Sequence, residues 1–348
     1  MKTESRLRRE IFEQPSVLAR LLETQRPAAE ALAEAVRRRG VSNVVIAARG
    51  TSDNAGRYAQ YLFGAMNGLV VALATPSLFT YYRRVPRFHN TLVIGISQSG
   101  RSPDVIAVLA EARRQGALTA VVTNDRKSPM AAHGDVTIDL CAAEERAVAA
   151  TKTYTAELAA IALLSTVLAG DAEMAGALER LPGAVGSALA ADQAAAQAAR
   201  GLREIRRAVV LGRGFNYATA FEVALKLEEL TYTSTEAFSS ADFRHGPMAM
   251  VEPGFPAIVV AATGPLLEDL RSVMATLRAG QAEVLCITDD PSTASEANVA
   301  LRVPCDVPEW LSPATLVIPG QLLALHLATL RGHDVDAPRA IRKITETY

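Results

Sequence analysis

Hydrophobic and polar positions along the chain fall into two kinds of stretch. Short all-apolar runs, rich in Val, Ile and Leu, lie at 44–48, 69–73, 92–96, 118–122, 136–140, 208–212, 257–261, 284–287 and 299–303. Runs of this length without polar alternation are the pattern of strands covered on both faces, as in parallel sheets. Between most of them, apolar residues spaced by three and four predict helices over roughly 53–66, 103–115, 152–169, 217–231 and 265–279. Strand and helix in alternation predict an α/β protein built on doubly wound parallel sheets. Residues 1–40 read as a helical leader interrupted at Pro15, Pro27 and Gly40.

The chain also repeats itself. Gly50 and Gly214 each end an apolar run and precede a helix, as do Gly100 and Gly264, and Gly116 is answered by Gly280. All three pairs share one offset, 164 residues. Val-Val-Thr-Asn-Asp at 121–125 is answered by Cys-Ile-Thr-Asp-Asp at 286–290. The reading is two tandem, homologous α/β domains, each a doubly wound parallel sheet, about 41–185 and 200–335, joined by an Ala-rich helix over 184–200 and followed by a tail, 336–348. Repeated α/β halves place ligands at strand C-termini.

Charge and cysteine content narrow the class. A formal net charge of −1 argues against electrostatic nucleic-acid binding. The three cysteines, Cys141, Cys286 and Cys305, form no C-x-x-C pair and read as small buried hydrophobes in a reducing compartment. The polar N-terminus is unlike a signal peptide, and the longest apolar stretch seen in the pattern, Leu158–Ala169, is too short to span a bilayer. A cytoplasmic protein with no membrane partner is expected. No His spacing suits a metal, and Gly212-Arg-Gly214 lacks the third glycine of a dinucleotide fingerprint. Neither metal nor cofactor is expected.

The most informative stretch is 91–104. The run Leu92–Ile96 feeds Ser97-Gln98-Ser99-Gly100, and a helix then opens with Ser102 as N-cap and Pro103 at its first position. Free N–H groups, the positive end of a helix dipole and three hydroxyls suit a small phosphate monoester. An ordinary polar loop fits the local pattern equally well. Arg49-Gly50-Thr51-Ser52 repeats the strand-to-helix arrangement, where Thr51 and Ser52 either approach the same ligand or cap the helix. The second half has Ala261-Ala262-Thr263-Gly264 at the equivalent place, poorer in hydroxyls, so one phosphate site per chain is expected.

Three further groups carry candidate chemistry. Glu222, Lys226 and Glu229 share one helix face, either as a solvated ladder of ion pairs or as a general base beside a lysine. Glu228 is expected to point to solvent. His245, before Gly246-Pro247, sits on a loop as an acid–base group or a surface histidine. Lys343, in the polar tail, is either frayed chain or an amine able to form a Schiff base with a sugar carbonyl.

These residues resemble a known family. Gly50-Thr51-Ser52, Ser97-Gln98-Ser99-Gly100, Val148-Ala-Ala-Thr151-Lys152, Glu222-x3-Lys226-x2-Glu229, His245-Gly-Pro and Asp334-Val-Asp-x-Pro-Arg…Lys343 are similar, in order, to the sugar isomerase (SIS) superfamily. The likeness is greatest to the isomerase half of the glutamine–fructose-6-phosphate aminotransferases, and extends to the SIS-type glucosamine-6-phosphate deaminases. The resemblance implies that Ser52, Ser97, Gln98, Ser99 and Ser102 hold a sugar phosphate, with Thr51 assisting and Val148 touching the sugar through its backbone. It implies Glu229 as the base between C1 and C2, supported by Lys226 and Glu222. It implies His245 in ring opening at a neighbouring subunit's site, hence a homodimer with active sites at the interface, and Lys343 as the Schiff-base lysine.

Two departures stand out. Arg101-Ser102 replaces Glu-Thr of the family's loop, and Ala150 replaces a sugar-contacting serine. About 40 residues precede the first SIS-like strand, which carries the expectation that no glutaminase domain is present and that mass action favours deamination. The expected reaction is glucosamine 6-phosphate plus water to fructose 6-phosphate plus ammonia. The alternatives are an aminotransferase-like isomerase without glutaminase, a deaminase for another amino or glycated sugar phosphate, a plain phosphosugar isomerase, and a non-catalytic phosphosugar sensor.

Overall fold

The computed structural model describes residues 4–304 and 306–343. Cys305 and the tail residues 344–348 lie outside the described residues. The chain forms two compact units. Among the described residues, the first comprises 16–145, 152–179 and 342–343; the second comprises 4–15, 146–151 and 180–341.

The first unit is built on β1 (Asn43–Ala47), β2 (Val70–Leu73), β3 (Thr91–Ile96), β4 (Leu118–Thr123) and β5 (Val136–Asp139). The strands are parallel, in the order β2-β1-β3-β4-β5. Every residue of β3 and β4 is buried, which is why they read as unbroken apolar runs. Its helices are most of α1 (Arg6–Arg38), then α2 (Thr51–Asn67), α3 (Ser77–Thr80), α4 (Pro103–Arg114) and α5 (Lys152–Ala169). The residues of α5 are buried from Lys152 through Thr166, as expected of a helix apolar all round.

The second unit repeats the design. Its strands are β6 (Arg207–Gly212), β7 (Ser234–Ser239), β8 (Pro256–Ala261), β9 (Glu283–Thr288) and β10 (Val299–Arg302), parallel in the order β10-β9-β8-β6-β7. Pairing each strand with its sequence counterpart gives the same topology in both sheets. Beyond α6 (Ala172–Ala188), which contributes to both units, its helices are α7 (Asp192–Gly201), α8 (Tyr217–Thr231), α9 (Ser240–Arg244), α10 (Leu267–Ala279), α11 (Pro291–Ala294) and α12 (Ser312–Leu330). Gly320 lets α12 lie close on α8: a Cβ there would sit 2.4 Å from Val223 Cγ2.

Several expectations need correction. The leader does not break at its prolines, and α1 runs unbroken through Pro15 and Pro27. A proline inside a helix costs about 3 kcal/mol. Leu18, Leu21 and Leu32 are each fully buried, at about 1.5–3 kcal/mol apiece, which offsets that penalty. Strand β7, Ser-Thr-Glu-Ala-Phe-Ser, was too polar to register as an apolar run. The longest apolar segment is α12, not 158–169; its pattern is interrupted by Pro313, Pro319 and Gly320. By length and composition alone α12 would pass for a membrane span, but it is largely buried within its unit. The linker over 184–200 is two helices, the end of α6 and most of α7, separated by a single 3₁₀ turn.

The cysteines differ from one another. Cys286 is a buried free thiol, pushed up to about 12 first by desolvation and then by Glu296, Asp290 and Asp289. Cys141 is only half-buried, and its Sγ accepts from Gln25 Nε2 at 3.4 Å.

Candidate functional site

In the first unit, β3 ends at Ile96 and α4 begins at Pro103, with Ser102 at the N-cap position. Ser102 has extended backbone, but its side chain makes no capping hydrogen bond. The loop between is closed internally. Gly100 N donates to Ser97 Oγ at 3.2 Å, and Arg101 N donates to Ser99 Oγ at 3.3 Å. Both serine oxygens therefore act as acceptors, and each O–H remains able to donate to an anion. Asn124 N donates to the Gln98 carbonyl at 3.2 Å, tying the loop to the end of β4. A pocket of about 450 Å³ opens here, lined by Gln98, Ser99, Arg101, Asn124, Glu145 and Lys343 among others.

Thr51 and Ser52 occupy the first turn of α2, with Gly50 as its N-cap residue. Ser52 is buried, and its Oγ donates to Glu157 Oε1 at 2.7 Å. Its hydroxyl hydrogen is thus already engaged within the unit. Arg49, at the end of β1, donates through Nε to the buried Asp104 of α4 at 2.6 Å.

Lys343 lines this pocket. Lys343 Nζ donates to Glu145 Oε2 at 2.7 Å, and the Glu145 side chain is 0% exposed. Sequence reasoning missed Glu145. The available signal was an acidic pair, Glu144-Glu145, directly before the Val148 motif.

In the second unit, the Glu-Lys-Glu ladder is not a solvated face. Glu222 and Lys226 are fully buried, and Glu229 retains 23% side-chain exposure. Lys226 Nζ donates to Glu229 Oε2 at 2.5 Å and lies 3.4 Å from Glu222 Oε1. Burial by itself lowers an ammonium's pKa, but the Glu222 and Glu229 carboxylates outweigh it and hold Lys226 above the usual lysine range. Glu228, the neighbour read as pointing outward, is exposed.

His245 is exposed at the C-cap of α9, where its N–H donates to the Asp242 carbonyl. Val148 is half-buried, and its N–H donates to the Asp336 carbonyl at 3.3 Å. The Asp336 carboxylate accepts from Arg6 N and Leu7 N at 3.0 and 2.9 Å, capping the start of α1. The Asp334-Val-Asp336 motif therefore has a structural duty of its own.

The loop equivalent to 97–102 is occupied by the unit's own carboxylates. Thr263 N and Oγ1 both donate to Asp289 Oδ1, at 2.7 and 2.9 Å. Glu309 packs against Gly264, and burial, then Asp289, raises its carboxyl. In the first unit the residue matching Asp289 is the neutral Asn124. An anion is disfavoured at the second loop by like charge.

Comparison with known proteins identifies the family. The SIS domain family matches residues 39–167 and 201–331, one copy on each sheet. The chain is 35% identical to the glutamine–fructose-6-phosphate aminotransferase (isomerizing) of Pseudomonas putida, over 96% of this chain and 57% of that protein. It thus spans little more than half the length of that relative. Among solved structures, the C-terminal domain of glucosamine-fructose-6-phosphate aminotransferase from Francisella tularensis superposes with a TM-score of 0.88 at 27% identity, covering 97% of this chain and 99% of that one. A glucosamine-6-phosphate deaminase from Thermotoga maritima shares the fold, with a TM-score of 0.80 at 21% identity over 99% and 100% of the two chains. With two matched copies covering most of its length, the chain belongs to the SIS domain family.

Proposed function

We propose that this protein is an amino-sugar phosphate deaminase and isomerase, converting glucosamine 6-phosphate and water to fructose 6-phosphate and ammonia. The observation that carries the reading is the Glu222–Lys226–Glu229 array. A fully buried ammonium is fixed between two carboxylates, of which Glu229 keeps access to solvent. A carboxylate so held is suited to move a proton between adjacent carbons.

The roles follow the family resemblance residue by residue. Ser52, Ser97, Gln98, Ser99 and Ser102 bind the phosphate, assisted by Thr51, and Val148 contributes its backbone to the sugar. His245 assists ring opening. Glu229 takes the C2 proton of the open-chain aldehyde and delivers it to C1, leaving an imine at C2. Water adds to that imine and ammonia departs, directly or after exchange onto Lys343. His245, exposed on its loop, serves a neighbouring subunit in a cytoplasmic homodimer.

A second reading is favoured by a specific observation: the curated relatives are named as aminotransferases. In it the same residues run the half-reaction toward amination, with ammonia supplied from elsewhere. Ammonia release measured with glucosamine, galactosamine and fructosamine 6-phosphates tests the proposal. Release from glucosamine 6-phosphate alone supports it. Ammonia uptake with fructose 6-phosphate, and no release from any of the three, would select the second reading.

A further inference from the structure

Glu145 belongs to no motif that pointed to chemistry, yet it is the most enclosed carboxylate of the first unit's pocket. A buried carboxylate is costly unless its lone pairs are satisfied. Here Thr153 N donates to Oε1 at 3.2 Å, and Thr153 Oγ1 donates to Oε2 at 2.8 Å. Thr153 lies in the first turn of α5, so the carboxylate also meets the positive end of that helix. The neighbouring Lys152 ammonium is directed to the Glu144 carbonyl at 2.9 Å. Glu145 Oε2 also accepts from the tail: Lys343 Nζ donates to it at 2.7 Å. The pocket's other charged groups are Arg101, Asp125 and Glu144.

We propose that Glu145 is a positioning residue for Lys343, drawing the tail ammonium to the phosphate-loop pocket and accepting its proton when the amine is needed. This rests on the reading of Lys343 as the imine-forming lysine. The proton passes from Lys343 Nζ to Glu145, leaving a neutral amine and a neutral carboxylic acid. The nitrogen lone pair forms a bond to the sugar carbonyl carbon, and the carbonyl π pair moves to oxygen. That oxygen takes up two protons, one returned by Glu145 and one originating on the attacking nitrogen, and leaves as water. Glu145 ends ionised beside the imine, and no redox partner is required.

The test has two arms. In the first, protein and fructose 6-phosphate are treated with borohydride, and reduced adduct on Lys343 is read by peptide mass. Glu145→Gln retains an acceptor for Thr153 but lacks the charge and the base. It is expected to slow trapping by about tenfold or more and to move the trapping profile to higher pH, with partial recovery in Glu145→Asp. The second arm needs no substrate: trypsin cleavage at Arg342 and Lys343 in the free protein. Cleavage is expected to be several-fold faster in Glu145→Gln than in wild type, and Lys343→Gln, altered at the tail end of the pair, should match it at Arg342. Trapping and cleavage both at wild-type rates in Glu145→Gln would overturn the proposal. If wild type itself carries no adduct, the imine reading fails, and the positioning role is decided by the trypsin arm alone.

Discussion

Lys226 donates to Glu229 at 2.5 Å from a position with no exposure to water, while Glu229 reaches solvent. One partner of the pair is structural and the other is available for chemistry. Lys226→Met would leave the fully buried Glu222 carboxylate without its cation. Removing one member of a buried ion pair costs about 3–5 kcal/mol. Denaturant unfolding at neutral pH is expected to show a loss of that size, reduced when Glu222→Gln is added because the stranded charge is then gone.

Glu229→Gln should separate chemistry from binding. The amide keeps the shape and an acceptor for Lys226 but cannot take a proton. Turnover is expected to fall by about 10²–10⁴-fold. Sugar-phosphate affinity, measured by calorimetry, should change little, because the residues proposed to bind the phosphate do not include Glu229. Ammonia release at the wild-type rate would exclude Glu229 as the base.

Gly100 holds the 97–102 loop in a left-handed backbone shape that leaves no room for a side chain. Its φ is 62°, and a Cβ would lie 2.1 Å from Ser128 Oγ. Strain at positive φ costs about 1–2 kcal/mol and overpacking about 1–3 kcal/mol, so Gly100→Ala is expected to lose roughly 2–5 kcal/mol. Gly116 has φ 77° with nothing within 4 Å of its Cβ position. Gly116→Ala should therefore lose only the backbone part, about 1–2 kcal/mol. Equal losses in thermal melts would refute the steric argument.

Acid stability should depend on Asp269. Desolvation pushes its carboxyl up, but hydrogen bonds from Ser240, Arg244 and Arg213 prevail and hold it at about 2. A carboxyl lowered in the folded state stabilises fully above its unfolded value near 4, and that contribution is lost as pH falls toward about 2. Asp269→Asn is expected to be less stable than wild type at pH 7, by no more than about 1 kcal/mol because the cluster is open to solvent screening. The gap should narrow between pH 4 and 2 in denaturant titrations. A gap that stayed constant with pH would show that the charge is not the cause.

Much of this molecule is legible in one dimension, and the misses have physical causes. The strands of both sheet centres are covered on both faces, so β3, β4, β8 and β9 announce themselves as apolar runs. β7 does not, because four of its six residues are only half-buried or exposed on an edge strand. The repeat could have found it: β2 at 70–73, shifted by 164, lands on 234–237. The prolines of α1 misled because local propensity ignores what a buried face contributes. The Ser97–Ser102 loop was legible because strand, glycine and helix start are contiguous. The partners that complete it, Asn124, Glu145 and Lys343, are separated from it by up to 245 residues of chain.

The order of residues alone determined the α/β class, the duplication, the strand–loop–helix turn at 91–104 and the spacing of Glu222, Lys226 and Glu229. Those properties are periodic or local, set by backbone geometry within a few residues. Only tertiary structure decided that Lys226 is buried rather than solvated, because α8 is covered on the side that carries it. Only tertiary structure decided that Asp289 and Glu309 fill the second loop, and that Glu145 takes hold of Lys343. Burial and charge pairing depend on which distant segments meet, and no local spacing encodes that meeting.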